Sequence, residues 1–295
     1  MARDWTGWVP VRVRSEKVEW LYSGERKFRE PFFEDSVGRL AGAPRLVSGV
    51  DELERWAATR PGMIPSGFIF HMSRCGSTLI SQMLAAVDGN RVLSEAPALD
   101  DVLRDDPRRL PAAISALAQP LVNERRLFVK WDCWHTPQMG LIQALFPRTP
   151  CIFLYRDPVE VLVSQLRNPG MWTVAPEPPP EGREVHVAKL LAGICEAAFS
   201  HNPVLVNYNQ LPEAVYRHVF GIDWADGEIA QMKSASMFDA KTPSFTFTPD
   251  ADEKRSSASS RIQAAASLVK PAYEALERRR MGNSADFASQ SEPRP

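Results

Sequence analysis

Four short apolar runs constrain this chain of 295 residues more than any other feature. They are "GFIFHM" (67–72), "RLFVKW" (126–131), "PCIFLY" (150–155) and "PVLVNY" (203–208). Each has the length of a strand and is apolar without alternation, as expected where both faces of a parallel sheet are covered. Helical stripes lie between them. One is Leu79, Ile80, Met83, Leu84 and Val87; another is Val159, Leu162, Val163 and Leu166. The longest is Val187, Leu190, Leu191, Ile194, Cys195, Ala198 and Phe199. Strands alternating with helices predict a three-layer α/β fold, a central, mostly parallel sheet with helices on both faces. Ligands in such folds bind beyond the C-terminal ends of the strands.

The rhythm divides the chain into three parts. Residues 1–62 form an N-terminal wrapping segment, in which alternating "WVPVRVR" predicts an edge strand and "PFFEDSVGRL" a short helix. Residues 63–281 form the α/β domain, interrupted by a proline-rich loop, "APEPPPEGREV" (175–185). Residues 282–295 are expected to be a disordered tail. A hydrophobic content of 44% with 24% charged residues is that of a soluble globular protein with a real core. A net charge of −1 argues against a broad nucleic-acid surface, so an anionic ligand needs a local basic pocket. No apolar run is long enough to predict a membrane span, and the N-terminus lacks a signal-peptide core. Cys75, Cys133, Cys151 and Cys195 make no CxxC pair and read as free thiols of a reducing cytoplasm, the expected location.

The stretch "GFIFHMSRCGSTLISQML" reads as strand, tight loop and helix, the layout of a P-loop-type fold. The unpaired N–H groups opening a helix attract an anion, and Ser77 and Thr78 add hydroxyl donors. The nucleotide-triphosphatase template G-x-x-x-x-G-K-[ST] nevertheless fails. With Gly76 as its second glycine, the first falls on His71 and the lysine on Ser77. Arg74, two residues before the glycine, is the nearest cation, and its guanidinium can fork onto an oxyanion. A second such unit is "CIFLYRDPVEVLVSQL": Arg156 emerges at a strand end, Asp157 and Pro158 start a helix, and Ser164 lies two turns into it.

Together these motifs resemble the sulfotransferases that use PAPS (3′-phosphoadenosine 5′-phosphosulfate). "SRCGSTLISQML" is similar to the 5′-phosphosulfate loop, closest to the R-S-G-T-T-L form of the tyrosylprotein branch. Arg74, Gly76 and Thr78 match that form, while Cys75 replaces a serine and Ser77 a threonine. The resemblance implies that Arg74 to Thr78 hold the 5′-phosphosulfate and that Arg156 with Ser164, in the spacing R-D-P-x5-S, holds the 3′-phosphate. It extends to about residue 260. Tyr208 would lie near the nucleotide, and Lys254, with Arg255 second, would close on the 3′-phosphate. The first 60 residues fall outside it.

The resemblance further implies sulfuryl transfer from PAPS to a hydroxyl or amine, leaving PAP, with no metal expected. Glu95, 21 positions after Arg74, is the implied general base, and Arg74 and Lys130 are the implied charge stabilisers. Asp132 occupies the position where the small-molecule branch carries a histidine base. Asp132 and His135 therefore stay open as alternative bases, whereas His71 reads as a loop-bracing histidine. The acceptor is expected to be a small molecule or peptide, with no nucleic acid or membrane partner. Its pocket is expected from the N-terminal segment, residues 96–120 and the proline-rich loop. Two other readings remain. One is a P-loop kinase or NTPase using ATP and Mg²⁺. The other is a non-catalytic nucleotide-binding protein whose Trp-rich first 60 residues meet a partner.

Overall fold

The structure, a computed structural model, describes residues 3–290 except 122, 218, 243 and 247. The four apolar runs become β4 (Pro65–His71), β6 (Arg126–Lys130), β7 (Cys151–Tyr155) and β8 (Val204–Asn207), joined by β5 (Asn90–Ser94) in one parallel sheet. Its order is β5-β6-β4-β7-β8. Phe68, Ile69 and Phe70 on β4, Leu127, Phe128 and Val129 on β6, and Ile152 to Tyr155 on β7 are wholly buried, which explains their unbroken apolar sequence. β5 pairs only with β6 and, among its residues, only Val92 and Leu93 are apolar. An edge strand needs less apolar sequence than a central one, so "NRVLS" carries no strand run to read.

The strand order has one reversal. From β4 the chain runs through α3 (Ser77–Ala86) to β5 on one side of the sheet; from β7 it runs through α7 (Pro158–Arg167) to β8 on the other. Right-handed crossovers in opposite directions put these helices on opposite faces. The crevice between the adjacent ends of β4 and β7 is the topological switch point, where ligands of such sheets bind. α7 begins as its sequence predicts: Pro158 is its first residue, and the Asp157 carboxylate accepts from the N–H groups of Val159 and Glu160. The longest stripe is α8 (Arg183–His201), so the proline-rich loop ends at the helix start rather than at residue 185.

The N-terminal segment forms a separate antiparallel sheet of β1 (Trp8–Arg14), β2 (Lys17–Tyr22) and β3 (Arg45–Gly49), with α1 (Phe33–Gly38) and α2 (Val50–Thr59). It is fastened to α4 (Pro97–Asp105) through Asp101, which is 1% exposed. Its carboxylate accepts from Arg12 at 2.7 and 2.8 Å, Arg14 at 3.0 Å and the Val13 N–H at 3.1 Å. A buried carboxylate so fully partnered costs little to bury. The remaining helices are α5 (Leu110–Leu117), α6 (Met139–Leu145), α9 (Glu213–Arg217), α10 (Asp226–Ser236), α11 (Ala251–Ser256) and α12 (Ser260–Gln290). The stretch expected to be a tail thus enters the last turns of α12, and residues 291–295 lie outside the described residues. α12 is pinned to the strand ends by Asn207, which donates to Tyr273 Oη and Glu277 Oε1 at 3.0 Å each. No helix among the described residues is long and apolar enough to cross a membrane.

Candidate active site

The sheet order lays the site out. Along the C-terminal edge, Glu95 follows β5, Lys130 ends β6, His71 ends β4 with Arg74 just beyond, Arg156 follows β7 and Tyr208 follows β8. Register sets the neighbours: Lys130 pairs with Ser94 on one side and Ile69 on the other, and His71 pairs with Leu154. Strands about 4.8 Å apart therefore bring together residues scattered from 71 to 208 in sequence.

On the β5-β6-β4 side, Lys130 is completely enclosed, and its Nζ stands 2.9 Å from Glu95 Oε1. Apart from this ion pair the buried ammonium has no polar side-chain partner among the described residues. The Phe32 ring lies 4.6 Å from it. His71 Nε2, also buried without a hydrogen-bond partner, is 3.6 Å from the same Glu95 oxygen. The Ser73 N–H donates to His71 Nδ1 at 3.0 Å, which fixes the tautomer with its proton on Nε2, facing Glu95. Burial lowers the His71 pKa despite Glu95 and keeps the ring neutral. Burial alone would raise the Glu95 carboxyl, but Lys130 and His71 together hold it far below the usual range. Asp132 goes the other way. Burial, then the charge of Glu95, push its carboxyl up to about 8, so it holds a proton beside an ionised neighbour. His135 Nε2 faces Asp100 at 2.9 Å and its Nδ1 stands 3.8 Å from Asp132.

The loop after β4 is left-handed at three residues: Ser73 (φ 74°), Arg74 (φ 49°) and Gly76 (φ 92°). Such turns aim successive N–H groups into a concavity suited to an anion. Arg74, Ser77 and Thr78 line a cleft of about 410 Å³ with Glu95 and Asp132. Cys75 is different: its thiol points inward to the Leu154 carbonyl at 3.2 Å, and burial pushes its pKa up to about 12. Only its backbone is available to a ligand. Lys241 also lines the cleft, and sequence reading missed it. The residue is exposed as a whole, yet desolvation with the nearby Arg74 and Lys130 lowers its pKa to about 8. Among the described residues, neither Arg74 nor Lys241 has a carboxylate within ion-pair distance. Nothing in sequence marks Lys241 apart from its place in the loop before α11. Gln165 was missed too. Wholly buried on α7, it donates to Ser73 Oγ at 2.8 Å and accepts from the Gly170 N–H at 3.0 Å, tying the two motif loops together.

On the β7-β8 side, Arg156 donates through Nε to Glu160 and through a terminal nitrogen to Asp250 Oδ1 at 2.8 Å. Its guanidinium lies over the Tyr208 ring at 4.0 Å. Lys254 reaches Asp250 Oδ2 at 2.6 Å, and Arg255 reaches Glu160 Oε1 at 2.6 Å. The structure thus gathers Arg156, Tyr208, Lys254 and Arg255, drawn from three separate stretches. Ser164 is half-buried on α7 two turns from Arg156, and its hydroxyl has no hydrogen bond among the described residues. Glu160 was readable as the i+4 ion-pair partner of Arg156; Asp250 was not. The outer cleft takes Arg12, Phe32 and Glu34 from the N-terminal segment, Pro97 and Asp100 from α4, and Met171 and Trp172 from just before the proline-rich loop.

No protein-family model matches the chain, and no curated protein matches it. Among the solved structures that resemble it in fold are two sulfotransferases. One is a sulfotransferase from Alicyclobacillus acidocaldarius, 13% identical over 74% of this chain and 96% of that one, with a TM-score of 0.41. The other is the mouse sulfotransferase SULT7A1 complexed with PAP, 12% identical over 84% of this chain and 97% of that one, with a TM-score of 0.42. Likeness of this degree carries no functional argument, and the site is read from its own residues.

Proposed function

We propose that this chain is a PAPS-dependent sulfotransferase acting on a hydroxyl or amine acceptor. The observation that carries the reading is the row of side chains along the sheet edge. Two strand-to-helix loops carrying Arg74 and Arg156 flank the switch point, and a buried carboxylate–lysine pair sits beside the first of them. Arg74, Ser77 and Thr78, with the Gly76 loop, would hold the 5′-phosphosulfate; Arg156, Ser164 and Lys254 would hold the 3′-phosphate, with Tyr208 between. His71 Nε2, a buried donor without a hydrogen-bond partner in a residue that lines the cleft, supports the fit, because such a donor suits an anionic partner. PAPS, when bound, supplies an activated sulfuryl group on a phosphate leaving group.

The chain's own residues handle the proton and the charge. Glu95 is ionised at neutral pH and accepts the acceptor's proton. A carboxylate held so low is a weak base, and Lys130 adjusts it. An anion beside the ammonium draws its field away from Glu95, and the carboxylate's proton affinity rises. Arg74, Lys130 and Lys241 meet negative charge in the cleft without reorganising water. Asp132 keeps its proton and donates toward Glu95, and His71 braces the loop. No group of metal-ligating side chains occurs among the described residues. The deciding measurement is the thermal shift with PAP against ATP, each with and without Mg²⁺. A metal-independent shift with PAP is expected. A shift only with ATP and Mg²⁺ would transfer the chain to the kinase reading.

A further inference from the structure

The cluster that would receive the 3′-phosphate already contains two carboxylates, and they differ. Glu160 is 2% exposed at its side chain and sits on the same helix as Ser164, one turn from Arg156. It is a permanent partner of Arg156 and Arg255. Asp250 is 44% exposed at its side chain and stands at the N-cap of α11. Aspartate is a favoured N-cap because its carboxylate accepts from the first free N–H groups of a helix. Here it makes no such bond. Its two oxygens go instead to Arg156 at 2.8 Å and Lys254 at 2.6 Å, one each, as two oxygens of a phosphate would. Release of Asp250 adds one positive charge to the cluster of Arg156, Lys254 and Arg255, which favours a phosphate; the fully exposed Asp252, 3.8 Å from Arg255, is unaffected by the exchange.

We propose that Asp250 is a built-in competitor for the 3′-phosphate of the donor nucleotide, exchanging its place on Arg156 and Lys254 for the N-cap of its own helix. The affinity for a 3′-phosphorylated nucleotide is then set by this exchange as well as by the cations. A nucleotide with a free 3′-hydroxyl need not displace Asp250. The inference rests on the sulfotransferase reading and deepens its donor site.

The test is calorimetric titration of the native chain, Asp250→Asn and Asp250→Ala with PAP and with adenosine 5′-monophosphate. Both variants should bind PAP about threefold tighter or more, the scale of a partly exposed ion pair. Binding of the monophosphate should be unchanged. Equal or weaker PAP binding by the variants would overturn the proposal and leave the donor reading standing, and Asp250 would then be a brace for Lys254. Tightening of both nucleotides by one factor would also overturn it, as a general charge effect. Absence of PAP binding in all three proteins would remove the donor reading and this proposal together.

Discussion

The strand ends on the two sides of the switch point carry charge differently. On the β5-β6-β4 side, Lys130 at 2.9 Å and His71 at 3.6 Å share one Glu95 oxygen, and Arg74 and Lys241 have no carboxylate partner among the described residues. On the β7-β8 side, Arg156, Lys254 and Arg255 are each paired with Glu160 or Asp250. On the first side two cations stand without a carboxylate; on the other every cation is paired in advance. Under-satisfied polar groups are costly to fold and strong toward a charge that appears among them. Paired groups are cheap to fold and yield affinity only by exchange. The first arrangement suits chemistry and the second suits binding.

That contrast can be broken most sharply at Glu95. Glu95→Gln removes the proton acceptor and should lower turnover by about 10²–10⁴-fold, while PAP affinity, measured by calorimetry, should not fall, because the phosphate-holding groups Arg74, Ser77, Thr78, Arg156 and Lys254 are untouched. A parallel loss of PAP affinity would show that the two sides do not divide the work. Next comes Arg156→Lys, which keeps a charge but loses the fork and the stacking on Tyr208. PAP should bind about 10–100-fold more weakly, the scale of lost charge-assisted hydrogen bonds, with turnover at saturation little changed.

A smaller effect is expected from Asp132→Asn, and its sign follows from the titration. The folded carboxyl titrates near 8, above its ordinary 3.8. The stability it contributes is complete below the ordinary value and is lost as pH rises toward 8. The asparagine variant has no proton to release. It should melt at least about 2 °C higher than the native chain at pH 8, and the gap should close by pH 4. An equal gap at both pH values would mean that Asp132 is not protonated in the fold. The smallest effect is Cys75→Ser. The hydroxyl can still donate to the Leu154 carbonyl, so stability in a urea titration should fall by about 1 kcal/mol or less, and PAP affinity should not move.

Much of this was readable before any coordinates. The three central strands, β6, β4 and β7, announce themselves because a strand covered on both faces must be apolar throughout, and the edge strand β8 is apolar enough to be read with them. Arg74 and Arg156 follow because a strand running into a helix fixes where the loop between them lies. Glu95 and Lys130 could be placed only through family resemblance; the geometry that joins them depends on β5, the edge strand whose sequence hides it. Lys241, Gln165 and Asp250 were invisible for another reason. Each reaches the site through a tertiary contact whose partner is distant in sequence, and no local pattern encodes such a pairing. That the N-terminal segment helps to line the cleft was expected; that Arg12 and Phe32 are the residues that do so was not legible.

Gly76 and Tyr208 have a consequence for the chain's history. A Cβ on Gly76 would stand 2.8 Å from the Tyr208 ring, at a φ of 92° that side chains rarely adopt, and the Arg156 guanidinium lies over the same ring. Two loops that arise far apart in the chain thus share a single aromatic wall. Neither can be redrawn by mutation on its own without unseating the other, so descendants of this protein should change positions 76, 156 and 208 as one unit or leave them alone.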